Sequence, residues 1–109
     1  MLMENQWSFT GTTGKQYTFA VFSKSALLPQ AGGIYILAYA HPRGHLAGFQ
    51  VTPLTMGATD DLQRAVAALQ QHECLVRECW NYTFILTLDD MKQRDELIND
   101  LSEAYRLCC

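Results

Sequence analysis

Apolar and polar residues alternate at period two in two short stretches near the start of the chain. Trp7 and Phe9 are set against Ser8 and Thr10, and Tyr17, Phe19 and Val21 share one face between Gln16 and Phe22. That is the period of a half-buried strand. Gly11-Thr12-Thr13-Gly14 lies between the stretches and joins them as a β-hairpin. Gly-Thr-Thr-Gly-Lys also looks like part of a phosphate-binding loop, but Phe9 and Gln16 stand where that loop needs glycine and Ser or Thr. Ile34 to Ala40 is nearly all apolar, as in a central strand buried on both faces, and alternation returns over His45 to Thr52. Pro42-Arg43-Gly44 is the turn that makes these two an antiparallel pair. Ser23 to Gly32, with Pro29 and a helical turn at Ala26 to Leu28, is a connection.

The period then lengthens. Thr59-Asp60-Asp61 supplies a helix N-cap and two first-turn acids, and Leu62, Ala65, Val66 and Leu69 recur at helical spacing to about His72. A cysteine-bearing connection leads to alternation over Asn81 to Leu88. Asp89 or Asp90 then caps a last helix with Leu97, Ile98, Leu101, Ala104 and Tyr105 on its apolar face. The order ββ-ββ-α-β-α predicts an α+β fold: a small, mostly antiparallel β-sheet flanked by helices, with an N-terminal β-hairpin over about 7–22.

At 109 residues and 49% hydrophobic content, the chain is predicted to form one domain, 1–109, with a single core. A net charge of -3 supplies no global attraction to nucleic acid or to an anionic membrane, so such binding needs a local patch. The first residues carry no basic segment followed by a long apolar stretch, and no run of about 18 apolar residues occurs. The expectation is a cytoplasmic protein with no membrane partner and with Cys74, Cys79, Cys108 and Cys109 as reduced thiols. The sequon Asn81-Tyr82-Thr83 is then idle.

Gly33-Ile34-Tyr35 heads the buried strand, and Thr55-Met56-Gly57 precedes the first helix some twenty residues on. This arrangement resembles the GIY-YIG nuclease family. The resemblance implies a three-stranded antiparallel sheet with helices, a second Tyr-Ile-Gly motif, a catalytic arginine on the following helix and a metal-binding glutamate on a later one. His72, Asp100-Leu101, Tyr105 and Cys109 extend the likeness to most of the chain. With Gly57 as the second-motif glycine, Thr55 and Met56 replace the tyrosine and isoleucine, Ala65 replaces the arginine and Ile98 the glutamate. Arg64 offers a guanidinium one residue away, turned through about 100 degrees on a helix. Phosphodiester hydrolysis needs an activated water, a cation on the developing charge and usually a carboxylate-held Mg²⁺. Tyr35 supplies only a phenol.

The leading expectation is therefore a non-catalytic GIY-YIG-like domain, a binding module for nucleic acid or protein, without a cofactor. Tyr35 and Arg64 are the remnant catalytic pair; Lys15, His41, Arg43, His45 and Gly57, with Lys24, are the binding candidates. One alternative is a DNA endonuclease using Mg²⁺ held by Glu96 or Asp100 beside Tyr35 and Arg64. A second is a protein-interaction subunit or homodimer with no nucleic-acid role. His72, Glu73, Cys74, Cys79 and Cys108-Cys109 include zinc-ligand residue types, but Cys-x4-Cys spacing is unspecific. The acids of the last helix outnumber its bases and form a solvated face.

Overall fold

The computed structural model describes residues 5–44 and 47–109. Five strands form one sheet: β1 (Gln6–Thr10), β2 (Gln16–Ser23), β3 (Gly33–Pro42), β4 (Phe49–Thr59) and β5 (Tyr82–Thr87). Their order is β1-β2-β5-β3-β4, with every neighbouring pair antiparallel. Three helices accompany them: α1 (Leu62–Ala67), α2 (Glu73–Arg77) and α3 (Met91–Ala104). The α+β class, the N-terminal hairpin and the central position of β3 follow the sequence pattern. Among these three only α3 exceeds six residues, and two short helices, α1 and α2, stand where the sequence predicts a single helix and a connection.

The apolar run of β3 is explained by its pairing. It bonds β5 over Gly33–Ala38 and β4 along its whole length, and Ile34, Ile36, Leu37 and Ala38 are all fully buried. Even-numbered residues Ile34, Ile36 and Ala38 join Phe9, Phe19, Phe84 and, from α3, Leu97 and Leu101 in one cluster. Leu37 faces the other way, onto Leu54, Leu62, Val66, Leu75, Trp80 and Ile85, so α1 and α2 cover the second face. The Phe9 ring meets Phe19, Phe84 and Tyr105 edge-on, which ties the hairpin, the sheet centre and the end of α3 together.

Several boundaries differ from the sequence reading. β4 starts at Phe49 and runs through the Thr55-Met56-Gly57 stretch to Thr59, with the β3 register shifting between Leu37 and Ala38. Leu37 is opposite Thr55 and Ala38 opposite Pro53, so Leu54 is the extra residue of a bulge. A proline is tolerated there because β4 is an edge strand and the bulge interrupts the ladder. The predicted helix to His72 stops at Ala67 and continues as turns bonding Leu69 to Val66 and His72 to Leu69. Asp61, not Thr59, is its N-cap, accepting from the Arg64 amide. Asp90 caps α3 through Lys92 and Gln93.

Cys74 and Cys109 are joined by a disulfide, which corrects the expectation of four reduced thiols; Cys79 and Cys108 are free. The Cys109 amide donates to the bulge carbonyl of Leu54. Residues 105–109 thus run from Tyr105, packed on the first cluster, to Cys109, packed on the second. Among the described residues, no helix is long and apolar enough to cross a membrane.

Candidate functional site

Tyr35 sits on the α1 side of β3, directly opposite Gly57 of β4. A Cβ at Gly57 would stand 2.5 Å from the Tyr35 hydroxyl and 2.7 Å from its ring, so the glycine leaves the space that the phenol occupies. Burial holds the Tyr35 phenol above its ordinary pKa of about 10. Arg64 is exposed on α1 and Ala65 is half-buried. The acids of α3 lie on the far side of the sheet, where Glu96 and Asp100 border the β1-β2 hairpin and Ile98 packs on the first cluster. Tyr35 and these carboxylates do not share a cleft.

The other expected binding residues are dispersed. Lys15 borders the groove between the hairpin and α3. Lys24 lies 5.0 Å from the centre of the Trp80 ring, a cation-π contact. His41 stacks beside Tyr39 with ring centres 5.4 Å apart, and its Nδ1 lies 2.9 Å from the Pro42 carbonyl oxygen. His45 falls outside the described residues. Gly57 belongs to β4 rather than to a link into the helix.

Two grooves differ in their chemistry. The larger, about 490 Å³, separates the hairpin from α3 over a floor of Leu86, Leu88 and Leu97. Its central acid is already committed. The two Asp100 oxygens accept from Thr12 Oγ1 at 2.8 Å, the Thr13 amide at 3.0 Å, Thr13 Oγ1 at 2.9 Å and the Tyr17 hydroxyl at 2.8 Å. Those donors, led by Thr12, hold its carboxyl far below the usual range. Burial and the same carboxylate push the Tyr17 phenol up. With about four acceptor sites filled, Asp100 fastens the hairpin to α3 and has none left for a ligand.

The second, a cleft of about 210 Å³, opens between β1 and β4, the two outer strands. Both edges line one cleft because the sheet curls into a half-barrel. Trp7 and Phe9 of β1 face Phe49 and Val51 of β4, with Tyr105 from the end of α3 between them and Arg43 at the rim. Trp7, Phe49 and Tyr105 are each part-exposed. Tyr105 is fixed there by accepting from the Thr10 amide at 3.1 Å. Of the expected binding residues that fall among the described ones, Arg43 alone meets this aromatic surface. Sequence reading missed Phe49 and Tyr105 as site residues, since the curl of the sheet brings the first, and the packing of α3 the second, to β1.

Among the described residues, Cys74, Cys108 and Cys109 form the one group of three or more His, Cys, Asp or Glu side chains close enough to share an ion. No family model matches the chain, and neither a curated protein nor a solved structure matches it.

Proposed function

We propose that this chain is a degenerate GIY-YIG-like domain without nuclease activity, which binds an extended segment of a protein partner in the cleft between β1 and β4. The resemblance is supported by Gly33-Ile34-Tyr35 heading β3 with Gly57 in register on the adjacent strand. Loss of catalysis is supported by the packing of the Tyr35 phenol over Gly57 and by the sheet that separates it from the acids of α3. The observation that carries the binding reading is the aromatic cleft flanked by two outer strand edges. Such edges offer unpaired backbone donors and acceptors to a peptide in extended conformation, while the aromatic surface takes its side chains.

Charge favours protein over nucleic acid. Among the described residues Arg43 is the one cation lining the cleft, Lys15 and Arg64 belong to other surfaces, and the net charge is -3. A single-strand binder instead tracks phosphates with a continuous positive groove. The test is a titration followed by tryptophan fluorescence, Trp80 being buried and Trp7 part-exposed. End-capped octapeptides of alternating apolar and polar residues are expected to bind, with Phe49→Ala, which leaves the Trp7 reporter in place, weakening affinity at least about tenfold. Affinity for single-stranded DNA at low salt without peptide binding contradicts the reading. So does Mg²⁺-dependent DNA cleavage that is lost in Tyr35→Phe. Dimerisation lost in Trp7→Ala would make a second copy the partner.

A further inference from the structure

The three cysteines that converge near the bulge of β4 come from distant parts of the chain. Cys74 lies in α2, and Cys108 and Cys109 follow α3. Their sulfurs all lie within 4.8 Å of one another. The Cys108 sulfur stands 3.8 Å from that of Cys109 and 3.7 Å from Oε1 of Glu78. Backbone contacts hold both segments: the Cys109 amide donates to the Leu54 carbonyl, and the Cys74 sulfur lies 3.2 Å from the Cys108 carbonyl oxygen.

These spacings have a chemical meaning. Tetrahedral zinc with bonds of about 2.3 Å to sulfur and about 2.0 Å to oxygen places two sulfur ligands about 3.8 Å apart, and a sulfur and an oxygen about 3.5 Å apart. Cys108 meets Cys109 and Glu78 at nearly those separations. Cys74 and Cys109, bonded to each other in the disulfide, must part, and the Glu78 carboxylate, which meets Cys108, must close on the other two sulfurs.

We propose that the reduced chain binds one thiophilic divalent cation, of the chemistry of Zn²⁺, through the thiolates of Cys74, Cys108 and Cys109, with the Glu78 carboxylate as fourth ligand. A dithiol reductant supplies two electrons and two protons to the Cys74–Cys109 bond and is itself oxidised to a disulfide. Cation binding then releases the protons of the three thiols to solvent. Soft sulfur donors select such an ion over Mg²⁺, which prefers oxygen. Disulfide and metal are alternative occupants of one site, because the bond takes two of its three sulfurs. Cys79, the residue after Glu78, takes no part: its sulfur is directed to the Arg77 carbonyl.

Cobalt titration of the full chain, kept reduced with a phosphine, tests this. The expected result is a sulfur-to-cobalt charge-transfer band with the intense visible bands of tetrahedral Co²⁺, saturating at one equivalent and bleached by Zn²⁺. Cys108→Ser, which leaves the disulfide partners in place, is expected to weaken binding at least about tenfold, whereas Cys79→Ser leaves it unchanged. Absence of the charge-transfer band overturns the proposal. Equal loss in Cys79→Ser and Cys108→Ser overturns it as well.

Discussion

Asp100 accepts bonds from Thr12, Thr13 and Tyr17 as a carboxylate, and protonation would turn one acceptor oxygen into a donor facing them. Its depressed pKa makes the contribution pH-dependent: it is fully present above the unfolded value of about 3.9 and is lost as pH falls through the folded value. Asp100→Asn should therefore lower the urea midpoint most near pH 7, with the difference from the parent protein shrinking below about pH 4. Arg94, only 6% exposed, donates to the carbonyls of Leu88 and Asp89 and to Asp60 at 2.6 Å. Arg94→Met strands two carbonyls and should cost about 2–4 kcal/mol in denaturant unfolding. Asp60→Asn, at the 84% exposed end of the ion pair, should cost under about 1 kcal/mol. The buried stripe of α3 was partly legible, since Arg94 precedes Leu97 and Leu101 at helical spacing, but a charged residue there reads as solvated. Asp100 likewise reads as one more surface acid, because its donors are over eighty residues away.

At the scale of elements, β3 and the hairpin were legible because their burial patterns are simple ones, a continuous apolar run and a period of two. β4 is not legible over its full length, because the Leu54 bulge resets its alternation midway and Pro53 argues against a strand. The end of the first helix is not legible either, because turns after Ala67 place Leu69 against the same core that a longer helix would. The pairing of β3 with β4 also makes a specific demand at Gly57. Gly57→Ala should cost about 1–3 kcal/mol by crowding the Tyr35 ring. In a double-mutant cycle with Tyr35→Leu, the pair should lose at least about 1 kcal/mol less than the sum of the single changes. The disulfide spans 35 residues, and its reduction in the presence of a chelator should lower unfolding stability by about 3–4 kcal/mol on the chain-entropy model.

Over the whole molecule, two apolar clusters on opposite faces of one curled sheet fix what shares a surface. Tyr35 and the acids of α3 are on different faces, while β1 and β4, at opposite ends of the strand order, border one cleft. Strand periodicity gives a face to each residue within its own element, but neither the strand order nor the curl is written in it. Arg43 therefore stands out in the sequence by its charge, while nothing in the alternation marks its aromatic neighbours Phe49 and Tyr105. The same geometry makes the central claim directly measurable by amide shift mapping of the isotope-labelled chain, titrated with an end-capped octapeptide of alternating apolar and polar residues. Binding in the cleft predicts saturable shifts at Gln6–Thr10 and Phe49–Val51, absent in Trp7→Ala. Shifts centred instead on Tyr35 and Arg64, or on Lys15 and Glu96, would contradict it.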